Sequence, residues 1–278
     1  MNETLELKVR VQPREPWSEI AIAELAEAGF EGFVETEDGF LAYAPQGTDL
    51  EAALQHSVLR NTDEIEVEIT TEVIPYQNWN AVWEAGFDPV YVEDYASILA
   101  PFHTGVETRG MTITIQPQMS FGTGHHQTTW LMTKALFEMG PLSEKVLDMG
   151  TGTGVLAIVA EKLGAKDVLA VDIEDWSVEN AKENVTGNAC QYIRCKCGDI
   201  DVIEESGFGL ILANINKNVL KAHLPRYSQL LDAGGTLMLS GFFISDTDEL
   251  IEAACAQHFE AREILQKDEW AAIKLIKK

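Results

Sequence analysis

Val146-Leu147-Asp148-Met149-Gly150-Thr151-Gly152-Thr153-Gly154 decides the architecture of this chain of 278 residues. An apolar run ends in an acid and gives way to three glycines at alternate positions. Val155-Leu156-Ala157-Ile158-Val159-Ala160 then continues as an apolar, helix-like run. The order reads as strand, tight turn and helix start. Glycines at such a turn let the backbone approach a ligand where a Cβ would collide. Downstream, Val168-Leu169-Ala170-Val171 ends in Asp172, about twenty residues past the glycines. An acid at the tip of a second strand can accept from both hydroxyls of a ribose. A nucleoside cofactor is therefore expected at Gly150, Gly152 and Asp172.

Working outward, strands are predicted at 145–149, 167–172, 192–195, 209–214, 235–240 and 270–276, with helices between them. Alternation of this kind predicts a Rossmann-like α/β domain over 119–278, a mostly parallel, doubly wound sheet covered on both faces. Its ligands belong beyond the carboxyl ends of the strands, at the topological switch point. Asp148, Asp172 and Asn214 all fall at such ends.

Residues 1–75 carry a different pattern. Leu5, Leu7, Val9 and Val11 alternate with polar residues, as in a half-buried strand. Pro16 opens a helix with Trp17, Ala21, Leu25 and Ala28 at helical spacing, and Gly29 stops it. Asp38-Gly39 marks a hairpin turn. A second helix is predicted over 49–59, and Ile65, Val67 and Ile69 form a last strand. The order β-α-β-β-α-β predicts a small ferredoxin-like sandwich. Residues 76–118 read as a connector, with a short helix bearing Trp79 and Trp83 and a strand at Thr112-Ile113-Thr114-Ile115 that would serve as a hairpin arm.

Charge narrows the partners. The chain carries 20 basic and 45 acidic side chains, a formal charge of −25. Residues 1–75 hold 4 of the basic and 17 of the acidic residues. Such a surface repels nucleic acid and anionic membranes and favours a basic protein. A solvated acidic face is the alternative reading of the first module. The four cysteines do not make a disulfide framework. Met1-Asn2-Glu3-Thr4 lacks the features of a signal peptide, and no apolar run approaches a membrane span. A cytoplasmic, monomeric protein is expected.

Three features distinguish the possible cofactors. Gly152-x-Gly154-x-x-Ala157 can be aligned with a dinucleotide fingerprint, which keeps a nicotinamide oxidoreductase as an alternative. Asp148, however, would help a cationic cofactor and gain nothing beside a pyrophosphate. Met119-Ser120-Phe121-Gly122-Thr123-Gly124-His125-His126-Gln127-Thr128-Thr129 adds a second glycine-rich turn ahead of the first strand. Ala213-Asn214-Ile215-Asn216 places an amide where an incoming nucleophile would sit. The glycine loop with Asp172 resembles class I S-adenosylmethionine-dependent methyltransferases. Together with Phe121-to-Thr129 and Asn214-Ile215-Asn216 the chain is similar to the PrmA family, which modifies the eleventh protein of the large ribosomal subunit.

The resemblance covers nearly the whole chain. It implies transfer of methyl groups from S-adenosyl-L-methionine to lysine side-chain amines and the N-terminal α-amine of that basic ribosomal protein. It also implies cofactor contacts at Thr129, Gly150, Asp172 and Asn214. Chemistry adds roles. Methyl transfer from a sulfonium needs positioning and desolvation more than a general base. Burial near a cation lowers a lysine pKa, so the amine can lose its proton to water. The Asn214 side-chain oxygen is expected to aim the amine, which makes Asn214 the candidate catalytic residue.

Competing readings stand beside these. Asp148 could cap its own turn rather than touch cofactor. Asn216 could be a helix N-cap. Phe242-Phe243 could line the lysine channel or pack the core. No metal is expected, because His125-His126 lacks a third ligand and Cys190, Cys195 and Cys197 lack zinc spacing. A non-catalytic ribosomal-protein adapter with this fold is the remaining alternative.

Overall fold

The computed structural model describes residues 4–74, 88–117 and 127–278. The tryptophan helix of the connector and the stretch from Met119 through His126 lie outside the described residues. The chain divides into two compact units, Met1–Gly86 and Phe87–Lys278.

The first unit runs β1 (Thr4–Gln12), α1 (Trp17–Glu27), β2 (Gly32–Thr36), β3 (Gly39–Pro45), α2 (Leu50–Gln55), α3 (Val58–Asn61) and β4 (Glu66–Ile74). Its antiparallel sheet has the order β2-β3-β1-β4, the ferredoxin-like arrangement. Alternation along β1 buries Leu7, Val9 and Val11, the first two against Ala21 and Leu25 of α1 and Phe40 of β3. The helix expected over 49–59 is broken in two. Asp49 caps α2 through Ala52 N–H at 3.1 Å, and Ser57 accepts from Leu59 N–H at 3.3 Å to start α3. A serine side chain competes for backbone donors and so opens a new helix where the apolar spacing suggested continuity.

The second unit begins with a three-stranded sheet of β5 (Val90–Val92), β6 (Ala96–Leu99) and β7 (Met111–Thr114). β5 and β6 form the hairpin, while β7 pairs parallel to β6, so Thr112–Ile115 is not a hairpin arm. There follow α4 (Gln127–Glu138), β8 (Lys145–Met149), α5 (Val155–Lys162), β9 (Asp167–Asp172), α6 (Asp175–Gly187), β10 (Ile193–Cys197), β11 (Phe208–Asn214), α7 (Lys217–Leu230), β12 (Leu231–Phe243), α8 (Thr247–Cys255), β13 (Phe259–Lys267) and β14 (Trp270–Lys277). The seven-stranded sheet has the order β10-β9-β8-β11-β12-β14-β13. Strands β8 to β12 are parallel, and β14 and β13 close the sheet antiparallel.

The apolar runs of the central strands are explained by burial on both faces. Val146, Val168 and Leu210 enter one core with α4 and α5; Leu147, Leu169 and Ile211 enter the other with α7 and α8. β13 is absent from the sequence-based expectation. It is an edge strand, and most of its residues are polar or exposed.

The chain leaves β8 toward β9 and β10, then returns to β11 and β12 on the other side. That reversal is the switch point, and the carboxyl ends of β8 and β11 open a crevice there. Register pairs Met149 with Ala213, which sets Gly150 and Asn214 one step beyond on adjacent strand ends.

Candidate active site

A cleft of about 630 Å³ lies at these strand ends. The loops after β8, β9, β10 and β11 form its floor, with Thr129 of α4, Gly241 of β12 and Trp270 of β14 as further wall.

The glycine loop is held from below. Gly150 and Thr151 N–H both donate to Val171 O, at 2.8 and 3.0 Å. Gly150, Gly152 and Gly154 have φ of +74°, +55° and +82°. At Gly150 the need for glycine is double. The backbone is left-handed, and a Cβ would run into the side chain of Ile215. Asn184 of α6 donates to Thr153 O at 2.9 Å and accepts from Gln116 N–H at 2.7 Å, which ties the loop to the segment after β7.

Asp148 sits beneath this loop, buried, and does not line the cleft. Its Oδ2 accepts from Thr151 Oγ1 at 2.6 Å and from Ala157 N–H at 3.2 Å. The turn-capping reading therefore describes its contacts. Its Oδ1 is buried with no hydrogen-bond partner among the described residues. Burial raises its pKa to about 6, opposed by the two donors and helped by the charge of Asp172.

Asp172 ends β9 at the cleft wall. Gly152 N–H donates to its Oδ2 at 2.8 Å, and Glu174 N–H donates to its Oδ1 at 3.1 Å. These bonds fix the carboxylate plane, and each oxygen keeps a second lone pair for a hydroxyl donor. Asn214 ends β11. Its Nδ2 donates to Thr129 Oγ1 at 3.4 Å, and its Oδ1 is buried without a partner among the described residues. The threonine thus orients the amide of a residue that lines the cleft, and the acceptor is left unpaired among the described residues. Gly150, Gly152, Thr129, Asp172 and Asn214 all line one cavity.

Asn216 also lines it, but its side chain caps α7 by accepting from Asn218 N–H at 2.9 Å. Phe242 is core, whereas Phe243 is exposed and packs on Trp270 with ring centroids 4.4 Å apart. Sequence reasoning missed Asp199, His223 and Trp270. Asp199 was findable, since it follows the tip of β10 as Asp172 ends β9; His223 and Trp270 come from a helix face and a late strand, and carry no local signal.

The electrostatics of the cleft select its ligand. Asp172, Glu174 and Asp199 line it, and no lysine or arginine is among its described lining residues. A pyrophosphate would meet three carboxylates without a counter-charge, while a cationic ligand is attracted. The carboxylate wall, the unpaired Asn214 Oδ1 and the glycine cradle fit S-adenosylmethionine, and the nicotinamide reading is set aside on the same electrostatic ground.

Comparison with known proteins agrees. The family model described as ribosomal protein L11 methyltransferase (PrmA) matches residues 18–278. The ribosomal protein L11 methyltransferase of Porphyromonas gingivalis is 41% identical over 91% of this chain and 88% of its own. That of Phocaeicola vulgatus is 37% identical over 99% of both. A crystal structure of a ribosomal protein L11 methylase from Lactobacillus delbrueckii subsp. bulgaricus superposes with a TM-score of 0.64 at 28% identity, over 69% of this chain and all of that one. None of the described helices is long and apolar enough to cross a membrane.

Proposed function

The chain belongs to the ribosomal protein L11 methyltransferase family, and from that membership we propose that it methylates lysine side-chain amines and the N-terminal α-amine of ribosomal protein L11. It is an S-adenosylmethionine-dependent protein methyltransferase. The observation that carries the reading is the cleft at the switch point, walled by carboxylates and lacking lysine and arginine among its described lining. When bound, S-adenosylmethionine supplies a methyl group activated by its sulfonium.

The residues present divide the work. Asp172 accepts from the ribose hydroxyls with a carboxylate already aligned by Gly152 and Glu174 N–H. Gly150 and Gly152 keep the loop free of Cβ atoms. Asp148 acts through the loop it holds rather than from the cleft wall. Asp199, at the next strand tip outward from Asp172, accepts from the exocyclic amine of the base. Asn214 Oδ1 accepts an N–H from the substrate amine and aims its lone pair, with Thr129 holding the amide. The apolar share of the cleft wall (Met149, Val155, Leu156, Ile215, Trp270) excludes water and so favours the neutral amine.

The acidic first unit supports recognition of a basic protein. The same charge supports the absence of direct nucleic-acid binding. We place the enzyme in the cytoplasm as a monomer. The test is transfer of radiolabelled methyl groups into a ribosomal extract, with the labelled band identified by mass spectrometry. Label in L11 lysines and its N-terminus is expected. An unlabelled extract, or calorimetric binding of NAD but not S-adenosylhomocysteine, would overturn the reading.

A further inference from the structure

His223 is the buried titratable group at the cleft that the reaction does not use. It lies on α7, one turn before Tyr227, on the face that also buries Leu220, Leu224 and Leu230. Residues four apart on a helix are neighbours. The two rings meet edge to face at 5.8 Å, and Tyr227 OH lies 3.4 Å from His223 Nδ1. On the other side, His223 Nε2 lies 3.2 Å from Asp199 Oδ1.

The hydrogens of this chain of contacts can be assigned from burial. Tyr227 is fully buried, and burial together with the charge of Asp199 raises its pKa, so it is a phenol with one O–H to place. A buried hydroxyl takes a partner, and Nδ1 is the acceptor within reach. With Nδ1 accepting, Nε2 carries the hydrogen and presents it 3.2 Å from Asp199 Oδ1. Asp199 Oδ1 also accepts from Ile200 N–H at 2.7 Å. Both nitrogens face the same oxygen. No described residue donates to Oδ2, which leaves that oxygen for the cleft.

We propose that His223 is a positioning residue for cofactor selection: Tyr227 fixes its tautomer, and His223 holds the Asp199 carboxylate so that it accepts from the exocyclic amine of a 6-aminopurine. The proposal rests on the reading of Asp199 as the residue facing the base. A carboxylate held this way rejects a 6-oxopurine, whose oxygen would face it with no hydrogen between them. His223 therefore sets preference among purines and not affinity in general.

Calorimetric titration with S-adenosylhomocysteine and its hypoxanthine analogue, S-inosylhomocysteine, tests this. The wild-type protein should prefer the adenine ligand. In His223→Leu the Kd for S-adenosylhomocysteine should rise about tenfold, while that for the hypoxanthine ligand moves by about twofold or less. His223→Gln keeps an N–H donor and should recover most of the preference. Tyr227→Phe keeps the ring, loses the hydroxyl and should erode the preference partway; these two variants decide the matter should the leucine variant not fold. Equal weakening of both ligands in His223→Leu, or no change in the ratio, overturns the proposal. Asp199→Asn separates the two levels. If it keeps the preference, the reading of Asp199 fails; if it loses the preference while the His223 and Tyr227 variants keep theirs, only the present proposal fails.

Discussion

Ile215 occupies the space that any side chain at Gly150 would need. The loop after β11 thereby dictates the residue type at the end of β8, its neighbour in the sheet. Gly150→Ala should lose about 2–4 kcal/mol of stability in urea unfolding, from the left-handed backbone and the collision together. Adding Ile215→Ala should return the collision part, about 1–3 kcal/mol, and leave the backbone part. A double variant no more stable than Gly150→Ala would mean that Ile215 does not set the requirement.

Asn214 and Thr129 form a pair in which the hydroxyl orients the amide. Asn214→Ala should lower the methylation rate at saturating cofactor by roughly a hundredfold, the cost of losing near-attack geometry. Thr129→Val frees the amide to turn and should cost a smaller factor, about fivefold to tenfold. Rates of methyl incorporation measured for both variants check the order. An Asn214→Ala enzyme at full rate would remove Asn214 from the chemistry.

Asp172→Ala removes an acceptor for two hydroxyls and leaves Gly152 N–H without its partner. S-adenosylhomocysteine should bind about a hundredfold more weakly, the worth of hydrogen bonds to a charged acceptor. Asp172→Asn, which keeps one acceptor oxygen, should fall between. Unchanged affinity in the alanine variant would rule out the ribose role.

Asp148 makes stability depend on pH in the direction opposite to a salt-bridged acid. Its folded pKa of about 6 stands above its ordinary 3.8, so folding favours the protonated form. Its contribution is fully present below the ordinary value and is lost as pH rises through about 6. Asp148→Asn is uncharged throughout. The stability of the wild type relative to this variant should therefore fall between pH 4 and 6 and level off above, as read by urea unfolding at each pH. A difference that rises with pH over that window would mean that the carboxylate is held ionised.

The cofactor side of the site was legible because it is built from strand tips. Gly150, Asp172 and Asn214 each lie at the end of a largely apolar strand, with Gly152 in the turn that follows the first, and the doubly wound topology brings such ends together whatever the details of packing. The same rule would have yielded Asp199. His223 and Tyr227 were not legible, since they occupy apolar-face positions of a helix and meet Asp199 only through tertiary packing. Asp148 was legible as an important acid but not as one facing away from the cleft; that depends on where Thr151 and Ala157 direct their donors.

In the first unit, alternation in β1 and the Asp38-Gly39 turn were sufficient for the ferredoxin-like order. The break at Ser57 was hidden because a two-turn apolar pattern does not record which backbone donors a serine captures. β13 was hidden for a different reason. Phe259-Glu260-Ala261-Arg262-Glu263 has no clean period of two, and a register shift between Ala261 and Glu263 accounts for it.

β14 lies between β12 and β13 in the sheet, although β13 precedes it in the chain. β13 has no other partner strand among the described residues. β13 is therefore made before its described partner, and its pairing waits until β14 follows. Trp270, which opens β14, walls the cleft. The ligand crevice is thus among the last parts of the second unit to be assembled, so an unfinished chain carries the glycine loop without the wall that closes it.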